Sequence, residues 1–231
     1  MTAFSAAAPA FAESIASSPE LMRPQTRGEE IANSVSHGLG ALAALVAMPV
    51  LIVHASLHGS AADIVGASIF TVTMLLLYSI SALYHALPQG RAKRLFMRLD
   101  HGSIYLFIAG SYTPFTLGVL GGAWGWSLFG VVWGLAAFGV VLKAGNLLSS
   151  QWLSTGLYLL MGWLVLVAAV PMLERVSTAG LAWLAAGGLA YTLGVVFFVL
   201  DNRVRYAHFV WHLFVLAGTA CHFFAVLWHA R

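Results

Sequence analysis

Seven stretches of about twenty apolar residues run through this 231-residue chain, each long enough to cross the ~30 Å hydrocarbon core of a bilayer as a helix. They fall at residues 33–56, 62–87, 99–119, 125–143, 153–173, 178–200 and 206–229. Backbone N–H and C=O groups find no water in that core, so spanning segments of this kind must close their own hydrogen bonds, as helices do. Turn chemistry separates them: His58-Gly59-Ser60, Pro88-Gln89-Gly90, Gly121-Gly122, Gly145-Asn146, Glu174-Arg175 and Asp201-Asn202. Only 8% of the residues are charged, against roughly 25% in soluble domains. The expected fold is therefore all-α: a polytopic membrane protein whose residues 28–231 form a seven-transmembrane helix bundle. Residues 1–27, rich in Ala, Ser and Pro, read as a flexible cytoplasmic tail. They lack the basic start and apolar core of a secretory signal. Cys221 is the only cysteine, which excludes an internal disulfide and a cysteine-rich zinc module.

Basic residues set the orientation. One side carries nine: Arg23, Arg27, Arg91, Lys93, Arg94, Arg98, Lys143, Arg203 and Arg205; the other carries two, Arg175 and Arg231. That asymmetry puts the N-terminus in the cytoplasm and the C-terminus outside, opposite to the G-protein-coupled receptors. A retinal protein is excluded by the lack of a lysine in the seventh span. The net charge of +3 follows from topology and implies no nucleic-acid partner. In the stretch from Arg91 to Leu99, Arg91, Arg94 and Arg98 separate from Leu95, Phe96 and Leu99 at helical spacing. It is expected to lie along the cytoplasmic interface, near anionic head groups.

Ionisable groups within such spans are costly and mark function. His85 ends the second span, Asp100 opens the third, and His208 and His212 occupy the first two turns of the seventh. On the alternating topology all four share one depth. The His-x3-His pair puts two imidazoles on one helical face, about 6 Å apart along the axis, a spacing that suits one metal ion. A third histidine and a nearby carboxylate would complete a catalytic site with one open position. Ser81 lies one turn before His85 on the same face. Glu29, Asn33 and His37 form an i, i+4, i+8 stripe at the same depth in the first span. His222 faces inward but lies about 20 Å deeper, too far to share an ion with His208. A plainer reading also fits: hydrogen-bonded packing histidines, Asp100 paired with Arg98 or His101, and capping by the Glu29 stripe. The residues alone leave both open. Gly118-x3-Gly122 and Gly130-x3-Gly134 read as close helix packing, and Pro114 as a kink in the third span.

The stretches EEIANSVSHGLG at 29–40, SALYH at 81–85, LDHGSIYLFIAGSYTPF at 99–115 and HFVWHLFVLAG at 208–218, with His222 following, resemble the hemolysin III family. That family is the bacterial branch of the progestin and adipoQ receptor group. The resemblance covers the chain after its tail. It implies a seven-helix bundle in the bacterial inner membrane with zinc near the cytoplasmic face, held by His85, His208 and His212. Asp100 would hold or deprotonate a water at the zinc, with Ser81 in support. Glu29, Asn33, His37 and His222 are candidates to stand behind these. Alkaline ceramidases share the Ser-x3-His, Asp and His-x3-His arrangement, which implies hydrolysis of an amide bond in a lipid.

Three functions follow as expectations. The first is a zinc-dependent membrane hydrolase of a lipid amide or ester, linked to membrane-lipid homeostasis, with a membrane lipid in the bundle cavity as its substrate. The second is a non-enzymatic, lipid-sensing regulator with a structural zinc. The third is a pore-forming, cytolytic protein, although the spans contain few ionisable residues to line a conduction path.

The basic asymmetry generates a direct test. A reporter fused after Arg231 should be active outside the cytoplasm, and one inserted after Arg98 active within it. The reverse pattern would overturn the orientation.

Overall fold

The computed structural model describes residues 23–145, 147–148 and 150–230, so most of the expected tail lies outside the described residues. Seven helical spans are long and apolar enough to cross a membrane, and the described residues contain no strand. They are α1 (Arg27–His58), α2 (Ala61–Ala86), α3 (Arg91–Pro114) with its continuation, α4 (Gly122–Ala144), the pair α5 (Gln151–Trp163) and α6 (Ala169–Arg175), α7 (Thr178–Leu200) and α8 (Ala207–His229). Consecutive helices α1 to α4 pack side by side, α7 packs on α8, and α8 returns to α1. That closure brings the starts of α1, α3 and α8 and the end of α2 together. Tyr78, Tyr105, Phe70 and Val132 fill the interior, while Leu39, Leu42, Val46, Val53 and Leu57 of α1 point outward. Apolar side chains on the outside are what a hydrocarbon solvent demands.

Local chemistry fixes the helix starts. Thr26 and Glu29 form a reciprocal capping box at α1, and Ser60 and Asp63 form another at α2. Gly121 and Gly122 turn the chain between α3 and α4 with φ of 53° and 49°, a region glycine enters without steric cost. Tyr206, before α8, is the one non-glycine described residue with positive φ, at 59°. Its N–H donates to Glu29 Oε1 at 2.8 Å. Its hydroxyl sits against Gly28, where a Cβ would come within 2.9 Å of it.

Several expectations are corrected. The arginine-rich stretch from Arg91 is continuous with the third span and forms the first turns of α3. Lys93 is buried there while Arg91, Arg94 and Arg98 stay exposed. The Lys93 ammonium reaches Glu30 at 2.8 Å and the carbonyls of Tyr84 and Leu87 at 3.0 and 3.1 Å, which anchors α3 to the end of α2. After Pro114 the third span widens into π-helical turns over Phe115–Leu120, the relaxation available where a proline withholds its N–H. The fifth span is interrupted by a 3-10 segment, Leu164–Ala168, ahead of Pro171. Tyr112 stitches this break: its hydroxyl donates toward the carbonyls of Met161 and Gly162, both at 2.8 Å, and accepts the Val165 N–H at 2.9 Å. A Cβ added at Gly130 or Gly134 would meet nothing within 4 Å, so neither glycine mediates packing within the chain, and Gly122 serves the turn. Close packing does occur at Gly118, where a Cβ would run into the Asp63 carboxylate, and also at Gly66, where a Cβ would lie 2.7 Å from the Pro114 Cα.

Gly66→Ala should thus destabilise the detergent-solubilised protein by about 1–3 kcal/mol, because backbone must yield. Gly130→Ala should be neutral or stabilising by up to ~1 kcal/mol, as expected for alanine at an open helical position. Thermal unfolding of the two variants checks the contrast; equal losses would contradict it.

Candidate metal centre

His85 at the end of α2 and His208 and His212 in the first turns of α8 offer ligand atoms that all lie within 4.8 Å of one another. Their ring centroids are 5.1, 5.1 and 4.8 Å apart. His85 and His212 are buried and His208 is half-buried.

In each ring, Nδ1 is already engaged. His208 Nδ1–H donates to Asp201 Oδ2 at 2.9 Å, and His85 Nδ1–H donates to Glu30 Oε2 at 2.8 Å. His212 Nδ1–H donates to the Asn33 carbonyl at 3.2 Å, with the Ser36 hydroxyl 3.1 Å from the same nitrogen. Acceptors on Nδ1 leave Nε2 unprotonated and able to bind a metal, the arrangement typical of ligating histidines. His85 Nε2 is buried and has no hydrogen-bond partner among the described residues, a state that native proteins rarely tolerate unless something binds there. The donor set therefore fits a metal ion. Three imidazoles suit zinc, and also copper, nickel or iron.

Asp100 and Ser81 line the same cavity as His208, His212 and His37. Asp100 is buried; it stands outside the three-histidine cluster. The cavity, about 460 Å³, follows α3 and its continuation from Asp100 to Leu120, a run of about 30 Å at 1.5 Å per residue. Phe107, Ile108, Phe115, Leu159 and Leu184 give it apolar walls. His222 lines it far from the metal centre, edge-on to Tyr191 at 5.3 Å.

The members of the first-span stripe have separate tasks. Glu29 is 2% exposed and holds Arg23 at 2.6 and 2.9 Å, the Thr26 N–H and hydroxyl, and the Tyr206 N–H. It sets the approach to α8 without touching the metal centre. Asn33 contributes its carbonyl to His212, while its side-chain amide donates to Gln25 at 2.5 Å. Glu30, Lys93 and Asp201 were not legible as site residues. Glu30 sits one position off the stripe, and Asp201 reads as half of a turn; its seven-residue distance from His208 was the available signal.

A sequence profile described as "Haemolysin-III related" matches residues 25–223. The chain is 43% identical to "Hemolysin-3" of Bacillus cereus over 201 residues, covering 87% of this chain and 91% of that protein. It is 43% identical to "Hemolysin-3 homolog" of Bacillus subtilis (strain 168), covering 87% and 94%. It is also similar to the human "Monocyte to macrophage differentiation factor", at 30% identity over 217 residues, covering 86% and 83%.

Chelator competition tests the contacts behind the ligands. Asp201→Asn should weaken zinc binding about 10- to 100-fold, the usual cost of losing a carboxylate behind a ligating histidine, whereas His208→Ala should abolish most of it. Wild-type affinity in Asp201→Asn would remove Asp201 from the metal centre.

Proposed function

The chain belongs to the haemolysin-III-related family, and we propose that it works as a zinc-dependent hydrolase of a lipid amide or ester, serving membrane-lipid homeostasis in a bacterial inner membrane. One observation carries the reading: three histidines with Nδ1 engaged converge, and two of them, His208 and His212, line a long apolar cavity together with Asp100 and Ser81. The basic asymmetry of the connections supports a cytoplasmic position for that end.

His85, His208 and His212 would hold the zinc. Held by three neutral ligands, the ion would supply a positive charge able to acidify water and polarise a carbonyl. Asp100 takes the proton of the attacking water as its oxygen joins the carbonyl carbon. The same carboxyl group then protonates the leaving nitrogen or oxygen as the bond to carbon breaks. Ser81, which lines the same cavity, would steady the Asp100 carboxylate by hydrogen bonding. The cavity walls hold the acyl chain and exclude bulk water. At ~30 Å³ per water-sized unit, 460 Å³ accommodates about fifteen such units, the scale of a single lipid chain. A structural role for the zinc is the second reading. It draws on the fixed orientation of all three rings, which would let an ion clamp α2 to α8 without turnover.

Asp100→Asn separates the two. It preserves size and hydrogen bonding but cannot accept the proton. Zinc content should stay at the wild-type level, while hydrolysis of a lipid amide by the reconstituted protein falls by ~10²–10⁴. If the variant keeps its zinc and all measurable activity, the structural reading replaces the hydrolase.

A further inference from the structure

His37 is 4% exposed, and neither of its ring nitrogens has a hydrogen-bond partner among the described residues. A neutral imidazole carries one donor and one acceptor, and leaving both unmade in a buried position is unfavourable and rare. The same signature at His85 Nε2 is answered by the metal centre. His37, however, lies outside the three-histidine cluster.

Packing alone orients this ring. It stacks on His212 with centroids 3.4 Å apart and planes 5° from parallel, and it meets Tyr78 edge-on at 5.0 Å and 71°. Tyr78 is itself fixed by a 2.7 Å hydrogen bond to Thr219. Gly40 makes room for that assembly, since a Cβ there would come within 2.8 Å of the Tyr78 ring. His37 is thus held rigidly with its hydrogen-bonding capacity intact. It lines the cavity next to a metal-ligating ring, where the polar linkage of an acyl-chain lipid must lie for the metal centre to act on it.

We infer that His37 is a recognition residue, whose imidazole N–H donates to the carbonyl of the lipid linkage without joining the metal's ligand set. The inference rests on the lipid-hydrolase reading above and adds the group that distinguishes a chain bearing a carbonyl from a plain hydrocarbon. A carbonyl oxygen that accepts this hydrogen bond is held against the ring stacked on His212. Its carbon then faces the end of the cavity that carries Asp100 and Ser81.

The test uses the zinc-loaded full chain in phosphatidylcholine nanodiscs. Radiolabelled hexadecanamide and hexadecane serve as probes for wild type, His37→Phe and His37→Gln, and zinc content is measured in each. Wild type should prefer hexadecanamide. His37→Phe, which keeps an aromatic ring on His212, should bind hexadecanamide roughly five- to tenfold more weakly, with hexadecane binding and zinc unchanged. His37→Gln, which retains an N–H donor, should recover most of the preference. A wild type that binds both probes alike overturns the lipid-amide reading itself. A wild-type preference that survives in His37→Phe overturns only the role of His37. Loss of zinc from His37→Phe also overturns it, because the histidine would then act through the metal centre.

Discussion

Two adjacent carboxylates at the start of α1 hold this structure's functional end together. Glu29 turns toward the loop before α8 and binds the Tyr206 N–H together with Arg23. Glu30 turns the other way and binds His85 of α2 and Lys93 of α3. Carboxylates withdrawn from water are destabilising unless paired; Glu29 is buried and Glu30 half-buried, and each has a cation and further donors. One turn of α1 therefore positions three other helices. His85 and His212 are 127 residues apart in the chain, and they meet because both of their helices are referred to this turn.

The electrostatic consequence lies in what each imidazole faces. His85 has a carboxylate already neutralised by Lys93, His208 has Asp201, and His212 has only uncharged partners, the Asn33 carbonyl and the Ser36 hydroxyl. A carboxylate behind a ligand makes the ring a stronger donor to the metal than a carbonyl does. The three histidines are thus unequal, and the two on α8 differ most in their backing. The stack of His37 on His212 falls on the ring with the least charged support. That stacked face of the cavity wall is therefore uncharged, and the carboxylate that the cavity presents at this end is Asp100.

Span number and class were legible because hydrophobic length is imposed by the solvent and not by partners. The convergence of His85, Asp100, His208 and His212 was legible for the same reason, since alternating spans convert order along the chain into depth. What failed was side-chain reach and backbone detail. Periodicity singled out Glu29, yet Glu30 contacts His85, because a glutamate's flexible stem overrides a nominal helical face. Asp201 was hidden by its turn-forming neighbour Asn202. The start of α3 at Arg91 depended on Lys93 finding acceptors on α1 and α2, which no local pattern encodes. Gly130 and Gly134 had the spacing of a packing motif without the partner helix. Pro171 was a visible sign of the break in the fifth span, but its repair by Tyr112 of another helix was not.

The left-handed corner at Tyr206 has a consequence for how this family can vary. It is the last residue before α8, so it fixes the angular phase at which that helix begins. Each residue advances an α-helix by about 100°. One amino acid gained or lost between Tyr206 and His208 would swing both α8 histidines away from His85 together, however conservative its chemistry. Apart from Asp201, which holds His208, substitutions elsewhere in that connection change only composition, and most surface loops absorb changes in length. Here length itself is under constraint, and the joint behaves as a timing mark: the number of residues after the corner, more than their identity, keeps the three histidines in register.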